Sequence, residues 1–248
     1  MRMPIIPLLA LLLLSCGLED FPLIYPVPQS DIQQVSNNRS VVRISSENAG
    51  TTLSHFAIFY RIYVSTTDHL ATGFGNSVVY PVINPTLASD HTAVLPHIDS
   101  TTLLNQNMDR FFTDRGFEYL SLEAPHRIDS VLSSSILGST LEFDFPSRRA
   151  PTMTIGSTVY TLWRSNGNGA FNPEPDRLFI NDVDLWSSEN LNEATNRDVV
   201  DMPGIGSGDR RYIYAAMYIV GVGINVATYS FIYSTPSLIH VFQLPDKW

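Results

Sequence analysis

The longest stretch without a charged side chain, residues 212–245, admits two very different structures. One is a membrane-spanning helix over about residues 212–231, with Arg210 and Arg211 as its flanking charges. We favour strands, because glycine, asparagine and proline divide the run into strand-length pieces rich in Tyr, Ile, Val, Thr and Phe. The dividing residues are Gly221, Gly223, Asn225 and Pro236. The predicted strands cover residues 212–220, 228–233 and 238–243.

Other segments alternate apolar and polar side chains with the period of two that is typical of half-buried strands. In residues 56–64 the even-numbered positions are Phe, Ile, Tyr, Ile and Val, while Arg61 faces the other way. Residues 141–145 alternate likewise, and residues 158–163 form another predicted strand that leads into an Asn-Gly-Asn-Gly turn at 166–169. One helix is predicted, from Asp99 or Ser100 to Gly116. The sequence therefore predicts an all-β sandwich that contains one short helix.

Two of these segments resemble parts of fibronectin type III-like (immunoglobulin-like) sandwiches. Residues 56–68, FAIFYRIYVSTTD, resemble the third strand of such a domain, and residues 210–245 resemble its last two strands. The resemblance implies one sandwich over residues 31–248 with a large insertion at about 66–209, which contains the helix. The alternative is two β-domains, at about residues 31–145 and 150–248.

The first residues have the three parts of a secretory signal: a charged start at Arg2, an apolar run over residues 5–14, and small residues at a cleavage site. The apolar run is too short to span a bilayer, which takes about 20 residues. Cleavage is predicted between Ser15 and Cys16. Residues 1–15 would then be a signal peptide, and residues 16–30, which include three prolines, would be a tether.

The cleavage site, Leu13-Leu14-Ser15-Cys16-Gly17, resembles the lipobox of bacterial lipoproteins. Its combination with fibronectin-like strands is similar to lipoproteins of treponeme-like spirochaetes. The resemblance implies that Cys16 becomes the first residue of the mature chain and carries acyl chains such as palmitate. Two or three such chains anchor a protein stably at a membrane, here facing the periplasm or the exterior. The alternative is an ordinary signal peptide followed by an unrelated cysteine.

The residue counts exclude several kinds of chemistry. Cys16 is the single cysteine, so the chain has no internal disulfide, no thiolate zinc site and no redox pair. Lys247 is the single lysine, which argues against a catalytic or phosphate-binding lysine inside a core. The formal net charge of −9 makes nucleic acid an unfavourable partner.

Three segments have part of the pattern of a chemical site, and none carries a complete motif. His91 and His97 share a loop with two aspartates, but that loop is better explained as a solvated connection. Residues 204–209 are Gly-rich but match neither a nucleophile elbow nor a dinucleotide loop. Residues 181–201 are acidic, yet they lack the order of a calcium loop and are interpreted as a solvated connection. The sequence therefore predicts no catalytic residue, no metal ligand and no cofactor.

The favoured function is a membrane-anchored lipoprotein with a non-enzymatic binding or structural domain, whose partner is an unknown protein or glycan. The alternative is a carbohydrate-binding or glycoside-active module, with Trp186 or Trp248 as a stacking platform and Trp163 in the core. The second alternative is the integral membrane protein described above.

Overall fold

The computed structural model describes residues 23–65, 117–122, 128–146, 151–164, 176–177, 198–201, 212–226 and 228–244. These residues form one curled, mostly antiparallel sheet of twelve strands, so the predicted all-β class is confirmed. The strands are β1 Ile32–Ser36, β2 Arg39–Arg43, β3 Leu53–Ser65, β4 Glu118–Leu122, β5 Thr140–Asp144, β6 Thr152–Ile155, β7 Thr158–Arg164, β8 Asp176–Arg177, β9 Val199–Asp201, β10 Tyr212–Asn225, β11 Ser230–Tyr233 and β12 Ser237–Leu244. One helical turn, α1 Ile128–Val131, and two 3-10 turns, Gln29–Asp31 and Ser134–Ile136, complete the described part of the chain.

Two long strands, β3 and β10, form the centre of the sheet. They pair antiparallel along nearly their whole length, from Ser65 opposite Tyr212 to Leu53 opposite Gly223. The other edge of β10 is shared, since β12 pairs with its first half and β11 with its second half. The other edge of β3 is shared by β4 and by β9, and β9 runs parallel to it.

The remaining strands continue the sheet from β4 through β7, β6, β5 and β2 to β1, and β8 pairs with β7. The sheet then curls until its two sides meet. The backbone N–H of Gln243 in β12 donates to the carbonyl of Asn37 in the β1–β2 turn at 2.9 Å. The hydroxyl of Ser40 in β2 donates to the carbonyl of Ile239 in β12 at 3.2 Å. The described strands on both sides of residues 145–150 thus belong to one sheet.

The main core lies on one face of this curled sheet. The predicted inward residues of segments 56–64 and 141–145 all belong to it, which confirms the alternation in both segments. These residues are Phe56, Ile58, Tyr60, Ile62, Val64, Leu141, Phe143 and Phe145. The opposite face of β3 and β10 is also buried, in a second cluster that includes Phe59, Tyr63 and Tyr218. The prediction of a half-buried strand at residues 56–64 is therefore wrong, because only Arg61 interrupts an outer face that is itself packed.

The charge-free run forms strands, as the sequence analysis favoured. Its predicted division is wrong in one respect, because β10 continues through Gly221 and Gly223 and ends at Asn225. A spanning helix over residues 212–231 is excluded by β10 and by β11, which begins at Ser230. Within the described ranges, none of the helices has the length and apolarity needed to cross a bilayer.

Several predicted features fall outside the described residues. They are the signal peptide, the helix that begins at Asp99 or Ser100, and the turn at 166–169. The predicted strand at residues 158–163 is present as β7, one residue longer. The insertion at about residues 66–209 and the two-domain alternative stay predictions.

Candidate functional site

The predicted cleavage and lipidation residues, Ser15 and Cys16, lie outside the described residues, which begin at Leu23. The structure does describe where the chain that follows them joins the sheet. Ile24 and Val27 are 4% and 5% exposed and belong to the main core. Residues 24–29, hereafter the docked segment, are therefore part of the domain although the sequence placed them in the tether.

Two glycines of β10 make room for the docked segment. A Cβ atom on Gly221 would lie 2.7 Å from Cγ2 of Ile24, and one on Gly223 would lie 2.8 Å from Cδ1 of the same side chain. At Gly223 the added atom would also lie 2.6 Å from the backbone oxygen of Thr52. These glycines therefore permit close approach of a neighbouring segment instead of ending the strand.

Hydrogen bonds fasten the docked segment to the sheet. The amide of Asn48, itself buried, donates to the carbonyl of Tyr25 and accepts from the N–H of Tyr25, both at 2.8 Å. The hydroxyl of Ser237 donates to the carbonyl of Val27 at 2.6 Å. Satisfied buried groups of this kind hold a segment in one position, because breaking them leaves polar atoms without water.

The docked segment has a direction along β10. Gln29 donates to the carbonyl of Leu238, which is opposite Tyr218 of β10. Val27 accepts from Ser237, which is opposite Ile219. Ile24 packs against Gly221 and Gly223. Followed back toward the N-terminus, the chain thus advances toward the end of the sheet where β10 stops at Asn225. We call this the tip end. The first described residue, Leu23, therefore lies toward the tip end.

The end of β10, the β10–β11 turn and β11 expose four large apolar side chains at the tip end. We call them the apolar tip: Ile224 is 39% exposed, Val226 72%, Tyr229 88% and Phe231 53%. Tyr229 has φ of 54°, which among the described residues is the one positive φ outside glycine. Its N–H donates to the carbonyl of Asn225 at 2.7 Å, so the turn is closed by a backbone hydrogen bond.

A buried ion pair, away from the tip end, joins β7 to the residue that precedes β9. The guanidinium of Arg164, at the end of β7, donates through Nε to Oδ2 of Asp198 at 2.5 Å and through its second nitrogen to Oδ1. The hydroxyl of Tyr60 in β3 donates to the same carboxylate at 2.9 Å. The carbonyl of Asp198 accepts from the N–H of Ile62 at 2.8 Å. Because Asp198 is fully buried, this cluster joins β7, β3 and the start of β9 as a structural cross-link.

Sequence reasoning missed this pair. It assigned residues 181–201 to a solvated connection, and that is wrong for Asp198, which has no exposed surface. A signal was present on the other strand, since Arg164 lies two residues after the core residue Leu162 and so faces the same side. A charged side chain at an inward position needs a buried partner of opposite charge.

His240 is a second buried polar residue, in the middle of β12. It is 3% exposed, and its Nε2 lies 2.9 Å from the carbonyl oxygen of Ser36. Because a carbonyl only accepts, Nε2 carries the hydrogen and the ring is a donor. Burial lowers the pKa of His240 to about 4, although the hydrogen bond to Ser36 opposes the shift. The ring is therefore neutral at physiological pH, and it helps to join β12 to the β1–β2 hairpin.

The described residues include few of the other side chains that the sequence offers as sites. In the described part of the chain, no three His, Cys, Asp or Glu side chains gather as metal ligands. His91, His97, Trp186 and Trp248 lie outside that part. Trp163 is half-buried and belongs to neither core cluster, so its predicted place in the core is wrong.

No protein-family profile matches this chain, and neither does any curated protein or solved structure.

Proposed function

We propose that this chain is an exported bacterial lipoprotein, cleaved before Cys16 and acylated there. Its all-β domain is held at the cell membrane or the outer membrane, facing the periplasm or the exterior. The domain serves a non-enzymatic binding or structural role at that surface.

One observation carries the proposal. The single cysteine of the chain stands directly after an apolar run and a small residue, at the one position where acylation requires a thiol. The anchor, and not charge, would attach the domain, because the whole chain has a formal net charge of −9, which becomes −10 without Arg2, and so is not drawn to anionic lipids.

The position of the docked segment supports a short connection to the membrane. Seven residues, 17–23, separate Cys16 from the buried Ile24. At a maximum of about 3.6 Å per residue, the acylated residue lies within about 29 Å of the docked segment. A link this short keeps the tip end of the sheet, where the chain leaves the domain, close to the bilayer.

The fibronectin-like interpretation of the sandwich is also a proposal. It is supported by the pairing of the segments that carry the resemblance, since β3 lies beside β10 and β10 beside β12. Neighbouring antiparallel strands of this kind are expected from one sheet of such a sandwich.

Metabolic labelling with an alkyne analogue of palmitate tests the anchor. The wild-type chain should become labelled and migrate at the size of the mature protein. Cys16→Ala should lose the label, because no thiol remains to be acylated, while the matched variant Leu18→Ala should keep it. Label on Cys16→Ala, or no label on the wild type, would contradict the proposal.

A further inference from the structure

The apolar tip is an unusual feature of the described surface. Its four side chains lie on the end of β10, the turn that follows and β11, and the described residues of β10, β11 and β12 carry no Asp, Glu, Lys or Arg. Apolar side chains concentrated on an exposed turn mark a surface that meets an apolar partner.

Other exposed apolar residues lie at the same end of the sheet. Leu23 and Tyr25 lie there, on either side of the buried Ile24. Val159 lies at this end as well. Strand β4 is antiparallel to both β3 and β7, so β3 and β7 run in the same direction and both begin at the tip end. Among the large apolar side chains exposed in the described residues, Val35 is the exception.

We propose that the apolar tip enters the interfacial region of the lipid bilayer that holds the Cys16 anchor. This inference rests on the proposed lipoprotein function and deepens it, because it gives the domain a second membrane contact and a fixed orientation. The docked segment lies on one side of that contact, and the buried Arg164–Asp198 pair lies away from it.

The place where the chain leaves the domain favours a lipid bilayer over a protein as the partner of the apolar tip. The first described residue, Leu23, lies toward the tip end, and Ile24 packs against Gly223, only three residues before Val226, which directly follows β10. Three residues of strand span about 10 Å, which is well inside the reach of about 29 Å of the link to Cys16. The acyl chains and the apolar tip can therefore enter one bilayer together.

The chemistry of the tip also suits the bilayer interface. Tyrosine is enriched at that depth because its ring is apolar and its hydroxyl is polar, and Tyr229 and Phe231 supply aromatic rings here. The positive φ of Tyr229 is an uncommon conformation for a bulky residue, and it holds that ring 88% exposed. Glu47 is the charged residue of the adjacent loop at 45–52, so this loop offers no basic side chain to anionic lipids.

A fluorophore at the tip tests the inference. Val226→Cys and Val35→Cys are matched variants, since both replace an exposed valine, 72% and 47% exposed, in the full chain. Val35 is far from the tip, because it lies beside the β1–β2 turn, which contacts Gln243 of β12. Gln243 is opposite Tyr214, and Tyr214 is eleven residues from Asn225 along β10, or roughly 36 Å. Each purified protein is labelled with a thiol-reactive NBD dye and reconstituted into phosphatidylcholine vesicles, with and without phosphatidylglycerol.

The tip label should shift its emission to the blue and lose intensity when nitroxide-bearing acyl chains are added, equally in both vesicle types. The label at position 35 should stay water-like. Water-like emission at position 226 would overturn the inference, and so would a blue shift seen in native membranes but absent from pure lipid, which would indicate a protein partner.

The number of dyes bound per chain distinguishes a failure of this inference from a failure of the lipoprotein proposal. If Cys16 is acylated, the introduced cysteine is the one reactive thiol, and one dye binds per chain. Two dyes per chain would show that Cys16 is free and would overturn the lipoprotein proposal itself.

Discussion

Replacing Arg164 by methionine should strongly destabilise the domain. The substitution keeps an unbranched apolar stem but removes both hydrogen bonds from the guanidinium to Asp198, whose carboxylate then keeps only the hydroxyl of Tyr60. Breaking a buried pair by removing one partner costs about 3–5 kcal/mol, because a desolvated charge is left behind. At roughly 2–4 °C per kcal/mol for a domain of this size, the melting temperature should fall by about 6–20 °C.

The measurement is thermal and urea unfolding followed by circular dichroism, with Arg39→Met as the control. Arg39 pairs with Glu142 at 3.0 Å, but both side chains are nearly half exposed, so the loss of this pair should cost no more than about 1 kcal/mol. Adding Asp198→Asn to Arg164→Met should recover stability, because the stranded charge is removed. Equal effects of Arg164→Met and Arg39→Met would refute the reasoning.

Three further predictions concern the docked segment and the buried histidine. Gly223→Ala should lower the free energy of unfolding by about 1–3 kcal/mol, and by more than Gly221→Ala, because its Cβ meets the backbone of Thr52 instead of a movable side chain; urea unfolding of both variants checks the order. Asn48→Ala should speed hydrogen exchange at the amide of Tyr25 while the central strands stay protected. Unchanged exchange at Tyr25 would contradict the two hydrogen bonds between Asn48 and Tyr25. His240, with a pKa of about 4 when folded and 6.5 when unfolded, should cost the protein up to about 3 kcal/mol of stability as the pH falls from 6.5 to 4. The unfolded chain takes up that proton first, so His240→Gln should flatten the pH dependence of unfolding in this window.

Much of the fold follows from local sequence patterns. The alternation at residues 56–64 and 141–145 predicts which side chains face the core, because a strand turns successive residues to opposite faces. The β-branched and aromatic composition of residues 212–245 predicts strands for the same local reason. Each of these inferences needs only the period of the backbone.

Features that depend on distant neighbours could not be read in this way. Gly221 and Gly223 suggested a turn, but they lie within β10 because Ile24, almost two hundred residues earlier, packs against them. The second buried face of β3 likewise depends on residues such as Phe117 and Val200, which the chain brings over it from other segments. Glycine and apolar residues have more than one structural use, and only the tertiary partner decides between them.

The sequence predicts Cys16 as the acylated residue from its spacing after the apolar run, and that residue lies outside the described part of the chain. The direction of the docked segment could not be predicted in this way, because it is fixed by Asn48, Ser237 and the two glycines. Nor did the sequence indicate that Tyr229 would adopt a positive φ and stand outward from the domain. The apolar tip becomes a candidate membrane contact only when the pairing of β10 with β11 is known.

The most direct test of the central claim is the mass of the N-terminal tryptic peptide of the membrane-extracted protein. No lysine or arginine lies between Cys16 and Arg39, so the mature chain should yield residues 16–39 with a diacylglyceryl group and an N-acyl chain on the cysteine. An unmodified peptide that begins at Met3, after cleavage at Arg2, would show that the signal is retained and the thiol free. That result would contradict the account of an exported, lipid-anchored domain.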